Sequence, residues 1–187
     1  MKLTLVSTFI LLALVSANLG GLPDIFLVSS AKSSISWKST NDDEKTNSGK
    51  IKFKSGSIKM DTKQIVGGFF YANMLTMNCN TIADEGFNKA LIDEMRAADY
   101  LNVIKYKEMT GKIIKATRKD VPEGKPNYSI SLQVTLKGIK KIVTFPATVG
   151  FSKKITTLKG NLVLSKTDFS LPHDLHLGLD ITSTLKK

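Results

Sequence analysis

From Tyr128 to Leu136 the apolar residues fall on even positions, and from Val143 to Phe151 they fall on odd ones. Between them lies the basic, glycine-marked stretch Lys137-Gly138-Ile139-Lys140-Lys141. Strict alternation over so many residues predicts a strand with one apolar face. Two such runs around a short glycine turn predict an antiparallel hairpin, with Gly138 supplying a left-handed backbone. The change of parity then belongs to the turn, read as an odd-length connection between Leu136 and Ile142.

The same alternation recurs along the chain. "SSISWKS" sets Ile35 and Trp37 on one face, and "GKIKFKSGSIKM" sets Ile51 and Phe53 opposite Lys50, Lys52 and Lys54. The Ser55-Gly56-Ser57 break predicts a bulge or a turn before Ile58 and Met60 resume. Gly67-Gly68 opens an apolar strand through "FFYANMLTMNC", followed by "GKIIKATRK" and the loop "PEGKPNY". "GNLVLSKTDFSL" and "LHLGLDITSTLK" finish the chain, the latter alternating through Leu175, Leu177, Leu179 and Ile181.

One segment changes period. In "DEGFNKALIDEMRAADYLN" the residues Phe87, Leu91, Met95 and Ala98 form a helical stripe with Ile92 beside it. Asp84 and Glu85 suit the positive end of the helix dipole. The count is thus about eight strands and one helix, which must bury their apolar faces as a sandwich or a closed barrel. A barrel of about eight strands can be filled by side chains or can hold one small ligand.

Composition adds an address and removes several chemistries. Lys2, the run "LTLVSTFILLALV" and the small residues Val15-Ser16-Ala17 have the layout of a secretory signal peptide, 1–17, with the cleavage point extending to 21. The mature domain is then 22–187, and a periplasmic or secreted location is expected. Cys79 is the sole cysteine, so no intramolecular disulfide forms, and a buried thiol is expected.

The net charge is +11, but 25 of the 27 basic residues are lysines spread along the chain, with only Arg96 and Arg118 besides. Arginine is the residue suited to bidentate phosphate and base recognition. The lysines therefore read as a solvated face or as attraction to an anionic membrane surface, not as a nucleic-acid footprint. No nucleophile elbow or phosphate loop is present. His173 and His176 lack further ligands at metal spacing. No catalytic residue, metal or cofactor is expected.

The ordered series "SSISWKS", "SGKIKFKSGSIKM", "GGFFYANML", "ADYLNVIKYKEMTGKI", "YSISLQVTLKGIKKIVTFP" and "LSKTDFSL" resembles the YceI-like family of exported lipid-binding proteins. The likeness runs from about Phe26 to Ile181, and "LQVTLKGIKKIVTFP" is its most specific piece. It implies a mainly β fold: an eight-stranded antiparallel lipocalin-like barrel with one helix against it. It also implies that the barrel holds a polyisoprenoid or similar long-chain lipid.

The cavity-lining candidates are Trp37, Phe53, Phe69, Met74, Met77, Leu132, Val134, Phe145, Phe151 and Phe169. Lys166 and Asp168, read as lying on one side of a strand, are the candidates for contact with a headgroup. A homodimer is a further partner reading. The alternative is a structural or protein-interaction barrel with a filled interior.

The sequence departs from the family pattern at polar positions. Ser39 replaces a glycine after "W-x", Asn47 a histidine, Asn73 an aspartate, Glu94 a helical histidine, Lys166 an arginine and Ser170 a glycine. Apolar positions are kept while polar ones drift. That places change in the headgroup chemistry rather than in the apolar interior.

Overall fold

A computed structural model describes residues 22–122 and 124–186. The expected signal peptide lies outside the described residues. The strands are β1 (Asp24–Val28), β2 (Ser34–Thr40), β3 (Thr46–Asp61), β4 (Gln64–Asn73), β5 (Glu108–Arg118), β6 (Tyr128–Leu136), β7 (Ile139–Phe151), β8 (Ile155–Leu164) and β9 (Leu175–Leu185). Helix α1 spans Glu85–Arg96, and a four-residue helix, α2, spans Lys166–Phe169.

The sheet runs β3-β2-β9-β8-β7-β6-β5-β4 and returns to β3 through the β3–β4 pairing. β1 joins the same β3 and β9 edges, but further along them than β2. β1 and β2 are therefore two pieces of one stave interrupted at 29–33, and nine strands make an eight-position closed barrel. All neighbouring pairs are antiparallel. Among the described residues, closure leaves no open sheet edge.

The hairpin read at 128–151 is present, with a shorter turn than expected. Leu136 pairs with Ile139, so only Lys137 and Gly138 form the loop, at φ 53° and 78°. Two left-handed residues suit the twist of a two-residue hairpin. Directly paired residues point to the same side. Leu132 opposite Val143 and Ile130 opposite Phe145 thus carry the even face of one strand onto the odd face of the next.

Bulges set the inner face elsewhere. On β3 the pairing shifts between Phe53 and Ser55, and the buried positions change from Ile51 and Phe53 to Ile58 and Met60. On β4 Gly67 pairs with Lys59 but Ile65 with Met60, leaving one extra residue at Val66. The buried set accordingly passes from Ile65 to Phe70 and Ala72.

The connection from β4 to β5 covers the barrel end at which β2, β4, β6 and β8 finish. The expected strand does not continue past Asn73: a 3-10 turn forms at Met74–Thr76. Residues 76–81 then extend the wall beside β3. Asn78 N donates to Lys50 O at 3.1 Å and its Oδ1 accepts from Lys50 N at 2.8 Å. Asp84 caps α1 by accepting from Phe87 N at 2.9 Å. The helix buries Ile92 and Met95 and half-buries Leu91, whereas Phe87 is 72% exposed. Its core-facing side is therefore rotated from the expected stripe. Cys79 is buried, as its type suggested.

Candidate functional site: an apolar cavity and a polar pocket at one barrel end

The barrel encloses a cavity of about 30 Å³ lined by Ile35, Phe53, Phe70, Ala72, Met109, Thr110, Gly111, Leu132, Val134, Leu162, Leu177 and Leu179. Every lining side chain except that of Thr110 is apolar, so the space offers no charge and almost no hydrogen bonding. It exists in part because the wall is thin at Ala72 and Gly111. A Cβ on Gly111 would stand 3.1 Å from Leu132 Cδ2. About 30 Å³ is room for a water or two. Pockets that enclose drug-sized ligands are about ten times larger or more.

Three expected lining residues are at this cavity: Phe53, Leu132 and Val134. Phe145 is buried in the barrel beyond it, where its Cε2 comes within 2.7 Å of the place a Cβ on Gly160 would take. Trp37, Met74, Met77 and Phe169 are buried at the covered end of the barrel, not at the cavity. Phe151 is half-buried at the opposite rim, with the Arg118 guanidinium 5.9 Å from its ring centroid.

Phe69 is a correction. It is 41% exposed on the outer face, stacked edge-on against Tyr71 with centroids 5.6 Å apart. The Val66 bulge gives the inner position to Phe70 instead. Phe70, Ile35, Met109, Leu162, Leu177 and Leu179 are lining residues absent from the expected set. Ile35, Leu177 and Leu179 already stood on apolar faces in the alternation; Phe70 was masked by the bulge, and Met109 by the undetected start of β5.

Lys166 and Asp168 are also placed differently. They lie on α2 rather than a strand, because Ser165-Lys166-Thr167-Asp168 turns away where β8 ends. Lys166 N donates to Asp174 Oδ1 at 2.7 Å, and Asp168 pairs with Lys141 Nζ at 3.2 Å. Both acidic partners are exposed, and neither Lys166 nor Asp168 lines the cavity.

A second space of about 90 Å³ lies at the covered end, lined by Trp37, Ser39, Asn41, Asn47, Leu91, Glu94, Met95, Tyr100 and His173. β2 supplies its floor, Asn41 of the β2–β3 connection and Asn47 of β3 one side, α1 another, and the β8–β9 connection His173. The indole Nε1 of Trp37 donates to Asn78 O at 2.8 Å. Ser39 Oγ donates to Asp174 O at 3.2 Å and lies 3.2 Å from Tyr100 Oη. Since the serine has one proton, committed to Asp174, the phenol is the donor to Ser39. Burial raises the Tyr100 pKa above the ordinary 10.0, and the charge of Glu94 adds to it. His173 Nδ1 stands 3.6 Å from Asp42 Oδ1.

A family model described as the YceI-like domain matches residues 26–185. The chain belongs to the YceI-like family. Among solved structures, Burkholderia cenocepacia BcnA superposes on this YceI-like barrel with a TM-score of 0.63 at 19% identity, over 83% of this chain and 98% of BcnA. The Campylobacter jejuni YCEI protein gives 0.53 at 17% identity, over 72% of this chain and 84% of its own. These two likenesses bear on the fold. No curated protein matches the sequence. Barrels of the YceI-like family bind hydrophobic ligands, which is the kind of molecule the apolar cavity suits.

Proposed function

We propose that this protein is an exported, non-catalytic carrier that holds the apolar tail of a long amphiphile, of polyisoprenoid type, inside its barrel. The observation that carries this reading is the cavity lining, apolar at every side chain but that of Thr110. A prenyl or acyl chain in such a lining gains about 0.8 kcal/mol per buried methylene and needs few polar contacts. Room for it comes from rearranging side chains that can move. Met109 and the leucines at 132, 162, 177 and 179 line the cavity, and methionine in particular adapts its shape at small cost. Export rests on the leader at 1–17. The lysine-rich surface, with Phe69 and Tyr71 exposed on it, supports a peripheral contact with anionic membrane.

A second reading is favoured by the size of the cavity: a barrel filled by its own side chains, acting as a structural or interaction module. The two separate in one experiment. Native mass spectrometry of the chain purified from its export compartment, with the organic extract analysed in parallel, is expected to show a bound lipid. Ala72→Phe, which places a ring in the cavity, should abolish that adduct while the far-ultraviolet circular dichroism stays that of a barrel. A folded protein carrying no lipid, and taking up none from added prenyl alcohol, would establish the filled barrel.

A further inference from the structure

We propose that the polar pocket beside Trp37 receives the head of the ligand and selects an uncharged, hydroxyl-bearing end over a phosphorylated one. This deepens the carrier reading and rests on it. Position comes first. Ile35 and Trp37 are successive inward residues of β2, about 7 Å apart along the strand. Ile35 lines the apolar cavity and Trp37 lines the polar pocket. The pocket therefore begins one inward position beyond the cavity, where the head of a molecule whose tail lies in the barrel would emerge.

Chemistry comes second. An anionic phosphate needs donors and positive charge. The two hydroxyls of the pocket have already spent their protons, Ser39 on Asp174 O and Tyr100 on Ser39. The lone pairs of Tyr100 Oη and the carboxylate of Glu94 are acceptors, suited to a ligand hydroxyl that donates. The donors that line the pocket, the side-chain amides of Asn41 and Asn47 and the His173 ring, include no lysine or arginine. Glu94 repels a phosphate directly, and Asp42 beside His173 adds to the negative field. On a chain of net charge +11 this is an acidic spot.

Ser39, Asn47 and Glu94 all line this one pocket, as two neutral polar groups and a carboxylate. Lys166, the expected anion contact, is not among the lining residues.

Trp37 is the only tryptophan in the chain, so tryptophan emission comes from one residue, and that residue lines this pocket. The full mature chain is titrated with farnesol and with farnesyl phosphate, below their aggregation concentrations, while Trp37 fluorescence and native mass spectra are recorded. Farnesol is expected to shift the emission and to bind at least tenfold more tightly than the phosphate. Glu94→Gln, and more so Glu94→Lys, should strengthen phosphate binding and narrow that ratio to about threefold or less. Phosphate binding equal to or tighter than farnesol, or a ratio unmoved by both Glu94 variants, would overturn the selectivity. Farnesol bound in the mass spectrum with Trp37 emission unchanged would overturn the placement and leave the carrier reading standing. Binding of neither probe would remove both readings.

Discussion

The indole nitrogen of Trp37 donates to the carbonyl of Asn78 at 2.8 Å, joining the inner face of β2 to the segment that extends the wall beside β3. Gly49, which pairs with Trp37 across the β2–β3 ladder, makes the approach feasible. A Cβ at that position would sit 1.8 Å from Asn78 O and 2.7 Å from Trp37 Nε1. Gly49→Ala must therefore displace backbone, not a flexible side-chain end. It is expected to destabilise the fold by more than about 2 kcal/mol and to shift Trp37 emission toward that of a solvated indole. Urea unfolding followed by Trp37 fluorescence checks both; an unshifted emission and midpoint would mean that the segment is not held there.

Phe69 and Phe70 are neighbours in sequence with opposite fates. Phe70 is 5% exposed, lines the cavity and lies 6.1 Å from Phe53 between ring centroids, whereas Phe69 faces outward beside Tyr71. Phe70→Ala should cost about 3–5 kcal/mol, the usual range for a buried aromatic. Phe69→Ala should cost about 1 kcal/mol or less, mainly the edge-on contact with Tyr71. Denaturant midpoints of the two variants side by side decide whether the Val66 bulge sets the inner face as described; equal losses would contradict it.

That pair also shows where sequence reading reaches its limit. Alternation located the inner faces of β2, β6, β7 and β9 because those strands run without an inserted residue, so the two-residue period holds from end to end. It flagged an irregularity on β3, a bulge or a turn, from the composition of Ser55-Gly56-Ser57, and the register shift lies just before it, between Phe53 and Ser55. On β4 the inserted residue is Val66, an ordinary strand former, and nothing local signals that parity changes before Phe69. The start of helix α1 at Asp84 and Glu85 was legible, while the expected stripe ran on to Ala98, past the last helical residue Arg96, and the buried side depends on which face meets the barrel end. The polar pocket was not legible as a unit. Its residues come from β2, the β2–β3 connection, β3, α1, the Tyr100 turn and the β8–β9 connection, and only closure of the barrel brings them together.

Ser170 holds φ 51° and ψ 50° at the C-terminal cap of α2, a left-handed conformation that side chains with a Cβ resist. Its carbonyl accepts from Lys137 Nζ at 3.1 Å, a backbone contact that a glycine keeps. Ser170→Gly is thus expected to stabilise the protein by about 0.5–1 kcal/mol. In a chain of this size that is a rise in Tm of about 1–4 °C. A calorimetric scan showing a lower Tm would mean that the serine hydroxyl contributes more than the strain removes.

Thr156 is fully buried on the inner face of β8, and its hydroxyl has no hydrogen-bond partner among the described residues. Its carbonyl accepts from Ser183 Oγ at 3.0 Å, and valine would preserve that contact and the side-chain shape. Removing a buried hydroxyl without a partner should stabilise by about 1 kcal/mol. Thr156→Val measured by reversible thermal unfolding is expected to melt higher than the parent; a loss of stability would show that the hydroxyl is satisfied.

Tyr100 predicts a pH dependence with a definite sign. Burial raises its pKa above 10.0, so the folded protein keeps the phenolic proton at a pH where the unfolded chain has begun to release it. The unfolded state then binds fewer protons, and stability falls as pH rises from about 10 through the folded value. Below that window the contribution is constant. Tyr100→Phe should cost about 0.5–1.5 kcal/mol at neutral pH through the lost bond to Ser39. Above pH about 10 the parent is expected to lose stability faster than the variant, so that the gap narrows. Paired urea titrations between pH 7 and 11 measure the difference directly, with the other tyrosines and lysines common to both proteins. A gap that stays constant across that range would mean that Tyr100 ionises as freely in the fold as in the open chain, and that the pocket floor is wet.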